Sequence, residues 1–217
     1  MSAAEPYTDF IRFECEQLSD VPPAEVTALS QACDALAEQE LLATYDCDEH
    51  VGSNGNVSLR HPEGGFVITG TQLVSKQNLG PADFVHITGC ARQAAAFTTR
   101  YHGVRPPSSE SLLHFHLYEN FPDITAVVHV HEFNDRLFDN PTHWPDLNVV
   151  QTARSGDTGT IDLGEVACEA FATEKHYVIL KDHVPPWDTH RTGTVALGRT
   201  LAEAVARTLF IHEALKP

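Results

Sequence analysis

Positive charge is scarce in this chain. Its 217 residues carry 14 Lys and Arg against 30 Asp and Glu, a formal net charge of −16, and the lysines are only Lys76, Lys175, Lys181 and Lys216. A surface this acidic repels phosphate backbones, which disfavours nucleic acid as a partner. It also requires that an anionic small molecule be held locally, by backbone N–H groups, hydroxyls, an arginine or a metal. Low lysine suits a salt-rich cytoplasm and an ordinary acidic cytosolic protein alike.

Long apolar runs are also missing. No segment approaches a membrane span, and the start MSAAEPYTDF lacks a basic-then-apolar leader pattern. The expectation is a soluble, cytoplasmic protein with no membrane partner. Cysteine is sparse and scattered (Cys15, Cys33, Cys47, Cys90, Cys168), odd in number and never in a CxxC spacing. That argues against a disulfide framework and against a Cys-rich zinc site. No repeat, low-complexity tract or linker interrupts the chain, whose length suits one domain over residues 1–217.

What the chain does have is Asp123–Glu132, DITAVVHVHE. This β-branched run ends in two histidines spaced i, i+2, and a strand points such residues to one face. His129 and His131 are thereby presented side by side, as two ligands to one ion. A second pair, His114 and His116, falls in a segment that reads as helix, where i and i+2 lie about 200° apart and cannot easily chelate one ion. Packing or surface exposure is the simpler role for that pair, although His114 shares a helix face with Glu110. Two ligand histidines call for a third protein ligand and an open position. His183, the first polar residue beyond the apolar run YVIL apart from Lys181-Asp182, is the best candidate, with His190 as the alternative.

Around these residues, apolar spacing predicts helices over Tyr7–Leu18 and Pro23–Thr44, and strands over Asn56–Arg60 and Gly65–Thr69. Further strands are expected at Asp83–Ile87, Ala94–Tyr101, Ala126–His131, Leu147–Thr152, His176–Lys181 and Thr194–Leu197. Helices are expected from Ser108 to Asn120, over Gly164–Thr173, and from Thr200 to about Leu215. Mixed-sheet α/β or α+β architecture follows. Glu110 follows two serines at a helix start. Its common role there is to complement the helix dipole; beside a metal it is also a candidate acid–base. The loop Gly52–Arg60, GSNGNVSLR, has the small residues that expose N–H groups to an anion, as many tight turns do.

The motifs SNGNVSLR, VITGT with a lysine nearby, PPSSE, AVVHVH and YVILKDH together resemble the class II aldolase/adducin family, from about residue 25 to 210. The resemblance implies a three-layer α/β/α sandwich with a largely antiparallel central sheet, assembled as a homotetramer with sites between subunits. It implies that His129, His131 and His183 hold Zn2+ or another divalent transition metal, and that Glu110 is the acid–base. Gly55, Asn56, Thr69, Gly70, Ser108 and Ser109 would hold a small-molecule substrate through its phosphate. The implied activity is a lyase or aldolase reaction of carbohydrate metabolism, through a metal-stabilised enediolate. Epimerase, decarboxylase and dehydratase chemistry, or a non-catalytic adducin-like role, are the rivals. The chain departs from the family pattern in two places. The phosphate turn TPTG reads Thr69-Gly70-Thr71-Gln72, and His183 is followed by Val184 and an insertion up to Gly193 in place of HG.

Overall fold

The structure, a computed structural model, describes residues 11–47, 50–93, 96–139, 144–173, 176–185 and 187–216. In chain order its elements are β1 (Glu14–Ser19), α1 (Thr27–Ala37), β2 (Thr44–Cys47), β3 (His50–Ser53), β4 (Asn56–Arg60), β5 (Phe66–Thr69), β6 (Phe84–Gln93), β7 (Ala96–His102) and α2 (Ser111–Asn120). Then come β8 (Ala126–Phe133), α3 (Asn134–Phe138), β9 (Val149–Gln151), α4 (Ile161–Phe171), β10 (Tyr177–Ile179), β11 (Arg191–Gly198) and α5 (Leu201–Ala214).

Among the described residues nine strands form one sheet, in the order β1-β7-β6-β5-β4-β8-β11-β10-β9, and β2 and β3 form a separate antiparallel hairpin. The expectation of a largely antiparallel sheet holds in part, because the sheet is mixed. The inner neighbours pair antiparallel, but β1 joins β7 and β9 joins β10 in parallel, so both edges break the pattern.

Strand β8 lies inside the sheet, antiparallel to β4 and β11 on its two sides. It is buried along nearly its whole length, which is why its sequence is an almost unbroken β-branched run. Ala126, Val128 and Val130 point into one apolar cluster with Leu29 and Leu36 of α1 and Ala204 and Ile211 of α5. Val127 points the other way, among Leu113 and Leu117 of α2 and Leu163 and Val166 of α4. The helices therefore cover both faces. Each fully buried Val or Leu contributes about 1.5–3 kcal/mol to this packing.

Two helix expectations change. Tyr7–Phe10 lie outside the described residues, and Glu14–Ser19 form the edge strand β1, with cross-strand pairs Thr98–Glu14 and Arg100–Glu16 to β7. Sheet pairing outweighed a short apolar spacing that suited either structure. The helix expected over Pro23–Thr44 ends at Ala37. Glu40 takes a left-handed φ of 60°, and Leu41 N returns to Leu36 O at 3.1 Å. This turn buries Leu41 and Leu42 beneath the sheet, where Leu41 O accepts from His131 N at 3.1 Å.

Candidate metal centre

His129 and His131 are on the same face of β8, and both are buried. His183 reaches them from the turn after β10. Asp182 adopts a left-handed φ of 57°, His183 N bonds Leu180 O at 3.2 Å, and Gly193 N bonds His183 O at 2.8 Å. The chain is thereby folded back over β11. Ring centroids of the three histidines are 5.0, 5.2 and 5.3 Å apart, and each offers a ligand nitrogen within 4.8 Å of the others. His190, the alternative third ligand, is exposed and stands outside this group. His116 packs under Gly164 of α4, away from the group.

Glycine is required opposite His131. Gly193 is its register partner, and a Cβ there would stand 2.1 Å from His183 Cδ2 and 2.9 Å from His129 Cε1. Gly55 matters for a related reason: at φ 72° a Cβ would meet His129 O at 2.5 Å.

Glu110, the residue before α2, closes the group. Its Oε2 lies 2.8 Å from His129 Nε2 and its Oε1 2.8 Å from His183 Nε2. Burial alone would raise the Glu110 carboxyl; positive charge on the His129 and His183 rings outweighs it and holds the group well below the usual carboxylate range, and with both rings neutral a bound cation would have to supply that charge. Burial pushes His131 well below its ordinary value, and the neighbouring His129 and His183 add to this. A neutral imidazole is the ligand form.

The donor set fits a divalent cation. His129 Nδ1 donates to Thr194 O at 2.9 Å, which leaves the Nε2 lone pair facing the carboxylate. Despite the short approach, His129 Nε2 has no partner of hydrogen-bond geometry, and neither has His131 Nδ1. Buried lone pairs and a carboxylate that converge in this way repel one another unless positive charge stands between them.

Beside this group the expected anion-binding residues are brought together. Asn56, the register partner of His129, donates from Nδ2 to Ser108 Oγ and to Glu110 Oε2, both at 3.0 Å. Gly70 bridges to Pro107, just ahead of Ser108 and the half-buried Ser109. Thr69 Oγ1 is buried with no hydrogen-bond partner. Gln72 takes a left-handed φ of 58°, a conformation that favours glycine, and its side chain is exposed rather than folded into the cradle.

A model of the Class II Aldolase and Adducin N-terminal domain family matches residues 37–216. The chain belongs to this family. L-fuculose phosphate aldolase of Methanococcus vannielii is 28% identical over 181 residues, covering 79% of this chain and 87% of that protein. Methylthioribulose-1-phosphate dehydratase of Citrobacter koseri is 30% identical over 166 residues, covering 70% of this chain and 76% of that protein. A solved L-fuculose 1-phosphate aldolase has the same fold, with TM-score 0.61 at 20% identity over 89% of this chain and 86% of that one. An aldolase II superfamily protein from Pseudomonas syringae matches with TM-score 0.58 at 15% identity, over 87% and 70%.

Within this class II aldolase fold, three features escaped the sequence reading. Gly193 is one. Lys76 is another: buried, it donates to Ser53 O at 2.9 Å, Ser53 Oγ at 2.8 Å and Asn54 O at 3.3 Å, tying down the loop that leads to Gly55 and Asn56. Burial pushes its ammonium down to about 8. The third is Trp187 in the insertion after His183, which donates to Asn54 Oδ1 at 3.1 Å and stacks on Tyr45 at 4.1 Å. The sequence signals were the lysine near VITGT, which carried no role of its own, and one tryptophan in a loop.

Proposed function

We propose that this class II aldolase family member is a zinc-dependent lyase. It cleaves or forms a carbon–carbon bond next to the carbonyl of a small, hydroxylated, anionic substrate such as a sugar phosphate. The observation that carries the reading is the buried Glu110 carboxylate, each oxygen 2.8 Å from a ring nitrogen of the histidine group.

A divalent ion held by His129, His131 and His183 supplies a Lewis acid, lowering the cost of negative charge on a substrate carbonyl oxygen. Glu110 takes the proton from a substrate carbon or hydroxyl and returns it, at a carboxylate oxygen shielded from water. Asn56 Nδ2 steadies Glu110 Oε2 for this task. Gly55, Asn56, Thr69, Gly70, Ser108 and Ser109 grip the anionic end of the substrate. Lys76 places positive charge behind their loop, which the net charge of −16 makes necessary.

Dehydration is the second reading, favoured by the 30% identity to a methylthioribulose-1-phosphate dehydratase. Both reactions remove a proton beside a carbonyl and differ in the bond that breaks next. Zinc-loaded protein incubated separately with L-fuculose 1-phosphate and methylthioribulose 1-phosphate, followed by mass spectrometry, separates them. Two shorter carbon fragments support the lyase, and loss of one water supports the dehydratase. No product from these or related ketose phosphates would sink both readings and leave a non-catalytic adducin-like role.

A further inference from the structure

Behind Glu110 runs a buried chain of side chains for which the proposed chemistry has no direct use. His114 is fully buried on α2, and its Nδ1 lies 2.6 Å from Ser58 Oγ. Its Nε2 contacts Asn56 Oδ1 closely. Ser58 Oγ in turn lies 2.8 Å from Tyr118 OH. Chemistry fixes the direction of every bond. A carboxylate only accepts, so the Asn56 atom 3.0 Å from Glu110 Oε2 is the amide nitrogen. Oδ1 then faces His114, whose Nε2 must carry the proton. A neutral ring leaves Nδ1 to accept, so Ser58 donates to it; Tyr118, whose one proton is shared with Thr125 O at 3.3 Å, donates over the shorter 2.8 Å to Ser58. Each donor points towards Glu110.

From this geometry we infer that Tyr118, Ser58 and His114 form a one-way relay that locks the Asn56 amide with its nitrogen towards Glu110, which makes His114 a positioning residue for the acid–base. The inference rests on the catalytic reading of Glu110. Were His114 merely filling space, an apolar side chain would suit its site, which lies beside Phe66 with ring centroids 6.5 Å apart. Burial holds the ring down at about 3, so it stays neutral and keeps one donor and one acceptor. An unlocked amide has two orientations of similar shape, and one of them turns oxygen lone pairs on the carboxylate. Hydrogen bonds that polarise one another in series favour the other orientation.

Two measurements test this. Nitrogen-15 NMR of the full-length protein at neutral pH, with and without zinc, reads the ring directly. The expected result is the Nε2–H tautomer in the wild type, with exchange of that proton accelerated in Asn56→Ala. An Nδ1–H ring, or an exchange rate unmoved by Asn56→Ala, overturns the inference. This readout needs no substrate, so it stands even if no ketose phosphate is turned over. Where one is turned over, Ser58→Ala and His114→Leu should lower kcat on the order of ten- to a hundredfold with little change in KM or zinc content. His114→Gln, which keeps an N–H, should recover part of the loss. In an Asn56→Ala background both changes should have no further effect on kcat. Full additivity there would mean that His114 does not act through Asn56, even if His114→Leu proves unstable and only Ser58→Ala can be measured.

Discussion

A Cβ on Gly193 would stand 2.1 Å from Cδ2 of His183, so the absence of a side chain in β11 is what lets the third histidine close on the pair from β8. The neighbouring backbone is pinned by the bond from Gly193 N to His183 O at 2.8 Å, and relief must come from the ring. Gly193→Ala is expected to weaken zinc binding on the order of tenfold or more while the protein remains folded. Competition with a chromogenic chelator measures this, and an unchanged affinity would show that the ring has room to move.

The wild type is expected to hold about one zinc ion per chain, and His129→Ala and His131→Ala should each bring that content to near zero. Elemental analysis of purified protein decides it. Full occupancy in both variants would remove the histidine group from consideration.

Glu110→Gln keeps the shape of the side chain and its place at the start of α2 but cannot take a proton. Zinc content and unfolding temperature should stay close to wild type while kcat falls about a hundredfold or more. Wild-type turnover would reduce Glu110 to a residue that serves the helix dipole.

The pair of histidines in β8 was legible because a strand repeats every two residues, which sets positions 129 and 131 on one face. Glu110 was legible as part of a helix start behind two serines. Other parts were not, for identifiable reasons. Gly193 looks like any glycine in a strand until His183 is placed over it, and that contact depends on a turn built around Asp182. Strand β1 is exposed along Glu14–Leu18, so no buried periodicity marks it; its partner β7 lies more than 80 residues away. Parallel pairing at the two edges, β1 with β7 and β9 with β10, made the sheet mixed. The role of Lys76 depends on acceptors at Ser53 and Asn54, which a linear reading cannot bring to it.

Lys76 predicts a pH signature. Its pKa is about 8 in the folded protein, against 10.5 when unperturbed. Between these values the unfolded chain binds the proton and the folded one does not, so stability from this group rises with pH across that window. Below about 8 the charge is carried in both states, and the cost of burying it is fully felt, on the order of 3 kcal/mol. Unfolding free energy of wild type minus that of Lys76→Met should therefore climb from about pH 8 to about pH 10.5. A flat difference would mean that the ammonium is not perturbed.

Association should depend on salt. With a net charge of −16 the chains repel one another at low ionic strength, and screening relieves this. Light scattering is expected to report a tetramer that strengthens as salt is added. A monomer that is fully active at every salt concentration would rule out a site shared between subunits.

The position of β8 between β4 and β11 also sets a hierarchy of motion. Amides of an interior strand, hydrogen-bonded on both sides, exchange with solvent only when the whole sheet opens, whereas a turn opens alone. His129, paired on both sides, is expected in the slowest-exchanging part of the molecule, His131, whose N–H is held by Leu41 O, close behind it, and His183, held through a short turn over Gly193, in a faster one. The histidine group is two parts frame and one part latch. Any ion bound there would leave by the His183 side first, at a rate set by that turn rather than by global unfolding.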